Sequence, residues 1–241
     1  MEDRFIRTEL LLGKAALKRL SDSRVAVFGI GGVGSYTVEA LARCGVGHFL
    51  LIDNDTVSIS NINRQLHAMT DTVGQYKTEL MKERIRGINP AAVVETVEAF
   101  YLPDVRERFF VGNIDYIVDA IDTVTAKLDL VVEANRRKIP IISSMGTGNK
   151  LNPTALEVAD IYSTSVCPLA RVMRQRLRKL GIDKLKVVYS KEEPIQTKMT
   201  DYELEIPEGK NSIPGSVAFV PSVAGLIIAS EVVKDLCGGL Y

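Results

Sequence analysis

Cysteine is scarce in this sequence: its 241 residues include three, Cys44, Cys167 and Cys237, and no two are close together. That excludes a disulfide framework and points to a reducing, cytoplasmic setting. There is no excess of either charge, because 30 basic and 30 acidic residues cancel. No global field therefore draws the chain to nucleic acid or to an anionic membrane, and any such affinity must come from a local patch. The start, Met1-Glu2-Asp3, lacks the basic and apolar segments of a signal peptide. Residues 211–230 carry no charge, but Pro214, Gly215, Pro221 and several serines interrupt them. They predict a buried loop and helix rather than stable membrane insertion. The sequence shows no internal repeat and no low-complexity segment.

With 46% hydrophobic residues, the chain has enough apolar mass for a full core. Residues 9–20 read as an amphipathic helix with Leu10, Leu11, Leu17 and Leu20 on or near one face. Val25-Ala26-Val27-Phe28 predicts a first buried strand, followed by a helix over 33–43 and a second strand over 48–52. Further strands are predicted at 93–97, 115–119 and 139–143, with helices at 76–87, 103–111 and 123–138 between them. This is the alternation of a doubly wound, Rossmann-like, mostly parallel sheet. Residues 155–159 and 186–190 read as added strands of a C-terminal extension, expected to be antiparallel, around a basic helix at 168–180. Residues 192–214 read as a long mobile loop. One domain over 1–241 is expected, with a Rossmann-like part over 1–150 and a C-terminal part over 151–241.

The chemistry concentrates in two segments. In Gly29-Ile30-Gly31-Gly32-Val33-Gly34 the glycines allow a tight turn, close approach of a phosphate to backbone N–H groups and close helix packing. Alone the motif is weak, and an NAD-binding oxidoreductase is its first competitor. Just beyond the second strand, Asp53 is placed for a ribose hydroxyl, with Asp55 close by. Asn61, Arg64 and then Lys77 follow, a concentration of phosphate-directed groups suited to a triphosphate. Taken singly, Asp55 and Asn61 read as turn or capping residues, and Arg64 and Lys77 as a solvated face. The ordered set argues for ATP. Asp122, just past the fourth strand, is placed either to cap the next helix or to hold Mg²⁺ beside the phosphates.

These motifs, Gly-x-Gly-Gly-Val-Gly, Asp-x-Asp-x-Val-x-x-Ser-Asn-x-x-Arg-Gln counted over 53–65, Gly74-x-x-Lys77 and Asp122, resemble the adenylating domain of the ubiquitin-activating superfamily. The resemblance is strongest over residues 4–146 and implies ATP-dependent activation of a carboxylate as an acyl-adenylate. It implies that Asp53 binds the ribose, Asn61 and Arg64 the phosphates, Lys77 the phosphate under attack, and Asp122 the magnesium. Arg7, in Arg4-Phe5-Ile6-Arg7, resembles the arginine that members reach into a neighbouring subunit's site, which implies a homodimer. The chain departs from the thiamin and molybdopterin members in having no paired Cys-x-x-Cys motifs, so no structural zinc is expected. Its C-terminal half, with Ser165-Val166-Cys167-Pro168 and Gly215-Ser216-Val217-Ala218-Phe219, is similar to the branch of dehydratases that cyclise threonylcarbamoyladenosine in tRNA. A sulfur-transfer (cysteine desulfurase) partner and a monovalent cation ordering the C-terminal loops stay open.

Two alternatives remain: an activator of a ubiquitin-like sulfur carrier protein, and a non-catalytic ATP-binding interaction protein. Cys167 favours an inert role over a thioester, because intramolecular ring closure needs no thiol. Arg171, Arg174 and Arg178 share one helix face, with Met173, Leu177 and Leu180 as the apolar stripe. Residues 171–191 hold eight basic residues and one acid, Asp183. A tRNA backbone suits that patch. The alternative is a solvated face balanced by Glu192, Glu193, Glu203 and Glu205.

Overall fold

A computed structural model describes residues 4–197 and 214–238. Strands β1 (Arg24–Phe28), β2 (His48–Ile52), β3 (Val93–Val97), β4 (Tyr116–Asp119), β5 (Ile141–Ser144), β6 (Leu156–Asp160) and β7 (Lys186–Ser190) form one sheet in the order β3-β2-β1-β4-β5-β7-β6. The first six in that order pair in parallel, and only β6 runs antiparallel, along β7. Of the two added strands, β7 thus continues the parallel sheet and β6 closes its edge. The mostly parallel α/β architecture follows from buried apolar strands that need a helical layer on both faces.

The strand period of two assigns the layers. Val25 and Val27 of β1 enter one core with Leu41 of α2 (Gly34–Cys44), Met81 and Ile85 of α3 (Lys77–Ile88) and Ile228 of α6 (Phe219–Cys237). Ala26 and Phe28 enter the opposite core, with Tyr101, Phe109, Phe110 and Leu130 of α4 (Val124–Arg137). A third cluster joins α4 to Ala170, Met173 and Leu177 of α5 (Pro168–Lys179). Helix α6 packs on α2 so closely that a Cβ on Gly225 would lie 2.4 Å from the Val33 carbonyl oxygen. That approach brings Pro221, in the first turn of α6, over Gly32 of the glycine loop. No described helix is long and apolar enough to cross a membrane.

Three expectations need correction. Helix α1 (Ile6–Asp22) is interrupted at Gly13, whose φ of 81° and ψ of 164° belong to glycine. The break turns Leu10 and Leu11 away from the core, and they stand 78% and 82% exposed. Residues Pro103–Phe109 form 3₁₀ turns rather than an α-helix, a short piece anchored by Phe109 alone. Leu180 lies past the end of α5 and is exposed, so the buried stripe is Ala170, Met173 and Leu177. Within the expected loop over 192–214, residues 198–213 lie outside the described residues, Glu203 and Glu205 among them.

Candidate active site

The carboxyl ends of β1, β2 and β4 open onto a cleft of about 660 Å³. It lies where the strand order reverses between β1 and β4, the place where open α/β sheets bind ligands. The glycines that line or support it differ in what they do. Gly29 has φ +89°, and a Cβ there would meet the Ala120 carbonyl oxygen at 2.7 Å. A Cβ on Gly34 would sit 1.9 Å from the Gly29 oxygen, and one on Gly32 3.2 Å from the Pro221 Cβ. Gly31 has only the Gln65 Nε2, at 3.9 Å. Gly29 and Gly34 are therefore required by the fold, whereas Gly31 leaves room for an anion to reach N–H groups at the start of α2.

Asp53 follows β2 and ties the two loops together. Its Oδ2 accepts the Ile30 N–H at 2.6 Å and its Oδ1 the Asp55 N–H at 2.8 Å. Burial pushes its pKa up, although Lys77 and these N–H groups pull the other way. Lys77, 4% exposed at the start of α3, donates from Nζ to Asp55 Oδ2 at 2.7 Å. Asn61 accepts the Ser58 N–H through its side chain, so it caps a 3₁₀ turn and also lines the cleft. Half-buried Arg64 donates from Nη1 to the Ser60 carbonyl and Asn63 Oδ1, and its burial lowers its pKa. Behind Lys77 lies His67, buried, with no hydrogen-bond partner for either ring nitrogen among the described residues. Burial, then Lys77, lowers its pKa to about 4.

Asp122 stands exposed at the rim, and Thr123, not Asp122, occupies the N-cap position of α4. A buried network beneath fixes this loop. Asp119 and Lys127 are both fully buried and pair at 2.9 Å. The Ser143 hydroxyl also donates to Asp119, at 2.7 Å, and Lys127 Nζ donates to the Ile121 carbonyl at 3.1 Å. Among the described residues, no group of three or more His, Cys, Asp or Glu side chains is placed to cage a metal. The rim carboxylate of Asp122 fits Mg²⁺, which takes one or two carboxylates and completes its shell with phosphate oxygens and water.

The cleft thus gathers Gly29, Gly31, Gly32, Asp53, Asp55, Asn61, Arg64, Lys77 and Asp122, with Gly34 supporting it from behind. Arg7 is exposed on α1 and does not line it. On α5, Arg174 donates to the Thr164 carbonyl and hydroxyl, and Arg178 stacks 5.3 Å over Tyr162, whereas the Arg171 side chain makes no such contact among the described residues. Glu192 does not balance that face. Its carboxylate accepts the Leu151 and Asn152 N–H groups. Buried Cys167 forms part of the wall of an adjoining compartment. Sequence reasoning gave no role to Lys127, and no place in the cleft to the Ala99-Phe100-Tyr101 wall or to Ser216 and Pro221, which reach the cleft from the C-terminal part. A lysine placed eight residues after a strand-end aspartate was the one available signal, and it looked like any surface helix residue.

The ThiF family profile matches residues 3–239. The tRNA threonylcarbamoyladenosine dehydratase of Bacillus subtilis is 49% identical over 98% of this chain and 95% of its own. That of Escherichia coli is 42% identical over 75% of this chain and 71% of its own. A crystal structure of the Escherichia coli tRNA N6-threonylcarbamoyladenosine dehydratase in complex with ATP superposes with a TM-score of 0.87 at 36% identity, covering 98% of this chain and 94% of that one. The chain belongs to the ThiF family.

Proposed function

We propose that the protein is an ATP-dependent dehydratase that adenylates the carboxylate of threonylcarbamoyladenosine in tRNA and closes it into a ring. The observation that carries this reading is the convergence of Asp53, Asn61, Arg64, Lys77 and Asp122 on one cleft, in a chain similar from end to end to dehydratases of that name. Asp53 orients the ribose, and the Gly31 side of the loop and Asn61 hold the phosphates. Lys77 moves from Asp55 onto the phosphate under attack, and Arg64 faces the charge that builds there. Asp122 would hold Mg²⁺, which supplies charge neutralisation on the phosphates.

A carboxylate oxygen bonds to the α-phosphorus as the bond to the bridging oxygen breaks, and pyrophosphate leaves with the electron pair. The carbamoyl group then attacks the acyl carbon. The acyl–oxygen bond breaks, AMP leaves with its electron pair, and the carbamoyl N–H proton passes to solvent. Because this step is intramolecular, orientation supplies an effective molarity on the order of 10⁵ M, and no protein nucleophile is needed.

The homodimer belongs to the same proposal. Ile6, Leu10 and Leu11 form an exposed apolar strip on the segment that carries Arg7, which suits burial against a second copy that receives Arg7 in its cleft. The tRNA would lie on the α5 face through Arg171 and the outward side of Arg178. Incubation with tRNA, ATP and Mg²⁺, followed by mass spectrometry of the nucleosides, tests the reading: the modified adenosine should become lighter by one water. No loss of mass with ATP bound would exclude it.

A further inference from the structure

The nucleotide cleft does not end at Asp122. A second compartment of about 410 Å³ adjoins it and shares Arg64, Asp122, Thr147 and Ser216 as a common border. It lies over the carboxyl end of β5, and Met145, the next residue, is tied to β7 by its N–H bond to the Val188 carbonyl at 2.8 Å. Its floor is dry. Met145 and Cys167 are 2% and 1% exposed, and Leu169 completes the surface.

In the floor stands Gly146. A Cβ there would lie 3.9 Å from Leu169 Cβ and 4.0 Å from Cys167 Sγ, ordinary contact distances, at a backbone conformation open to any residue. The fold does not demand this glycine, unlike Gly29 and Gly34, yet its missing side chain sets the depth of the compartment. The rim is rigid. Asn149, at φ +58°, accepts the Gly215 N–H through Oδ1 at 2.6 Å. Its backbone donates to the Gly215 carbonyl and accepts the Ile195 N–H, both at 2.8 Å. Three chain segments are thereby pinned around the opening, as preorganised binding requires.

We infer that this compartment receives the amino-acid part of the acyl substrate and that Gly146 is a specificity-determining residue. The assignment rests on the dehydratase reading above. An oxygen that displaces pyrophosphate enters in line, opposite the leaving group, so the acid approaches from outside the triphosphate. The space that meets the phosphate-directed groups Arg64 and Asp122 without overlapping the Phe100 wall is this compartment. The carboxylate lies at the shared border, the carbamoyl group at the Thr147 and Asn149 rim, and the branched hydroxyethyl side chain on the floor over Gly146. An apolar floor with few placed polar groups is the usual form of such a site.

The test uses two tRNAs, one bearing threonylcarbamoyladenosine and one its glycyl analogue, which lacks the hydroxyethyl group. For Gly146→Ala and Gly146→Val, kcat/KM for AMP release is measured on both, with the Kd of ATP as control. The threonyl-to-glycyl selectivity should fall about tenfold for valine, the range that one or two methyl groups command in a packed pocket, while the Kd of ATP moves less than about twofold. Leu169→Ala, which enlarges the floor, should shift selectivity towards a bulkier phenylalanyl analogue. Equal losses on both tRNAs, or none, with ring closure intact in the wild type would overturn this assignment alone. Absence of ring closure in the wild type would overturn it together with the dehydratase reading.

Discussion

Lys127→Met removes one partner of a charge pair that has no access to water. Lys127 and Asp119 are each 0% exposed and 2.9 Å apart, so their attraction is about 6 kcal/mol at an effective dielectric near 20. Most of that offsets the cost of burying both charges, and the net worth of the pair is small. Losing the lysine alone is a different matter. Among the described residues, Asp119 then keeps the Ser143 hydroxyl and the Ile121 N–H as donors. Breaking such a pair costs about 3–5 kcal/mol. Urea unfolding followed by circular dichroism should report a loss of about 4 kcal/mol for Lys127→Met. The double variant Asp119→Asn with Lys127→Met should lose clearly less than the sum of the two singles, a coupling of at least about 2 kcal/mol. Because Lys127 also holds the Ile121 carbonyl, the KM for Mg²⁺–ATP should rise. A Lys127→Met loss under about 1 kcal/mol, or strictly additive losses, would refute the reasoning.

The remaining predictions use the cleft itself. Arg64→Ala should lower kcat for AMP release by about a hundredfold or more, near 3 kcal/mol of transition-state stabilisation, in single-turnover kinetics. Gly34→Ala should cost above about 3 kcal/mol and lower Tm by roughly 6–12 °C in calorimetry, because its Cβ meets the Gly29 oxygen at 1.9 Å. Gly31→Ala should leave Tm nearly unchanged yet weaken ATP binding in titration calorimetry. His67 has its pKa lowered from 6.5 to about 4, so the unfolded chain binds its proton first. Its contribution is present above pH 6.5 and lost as pH falls towards 4, about 3 kcal/mol at most. His67→Leu should flatten the denaturation-pH curve in that window. Mixing Arg7→Ala with Arg64→Ala subunits should restore about a quarter of the wild-type rate if Arg7 acts across a dimer, since half the dimers then hold one intact site.

Most of the sheet was legible because buried parallel strands announce themselves as short apolar runs at regular spacing, and Val25 to Phe28 is such a run. Leu10 and Leu11 were misread for a physical reason: periodicity assumes an unbroken helix, and a single Gly13 in a glycine-only conformation rotates everything before it. That these residues meet in one cleft was legible because they lie within 29 to 77 and at 122, carried by successive βα turns. The other wall comes from far along the chain. Ser216 accepts from Asn63 across 153 residues, and Pro221 stands where a Cβ on Gly32 would meet it at 3.2 Å, juxtapositions that no local pattern encodes. Arg174 and Arg178 had the right spacing for a basic face, but spacing could not show that Arg174 is also bonded to Thr164 and that one side of Arg178 lies over Tyr162.

Isotope transfer tests the central claim most directly. If the carboxylate of the modified adenosine is labelled with ¹⁸O and the tRNA is turned over with unlabelled ATP, attack on the α-phosphorus followed by ring closure carries one labelled oxygen into AMP. Mass spectrometry should therefore find AMP heavier by one ¹⁸O for each ring formed. Unlabelled AMP, or label recovered in inorganic phosphate alongside ADP, would contradict the account.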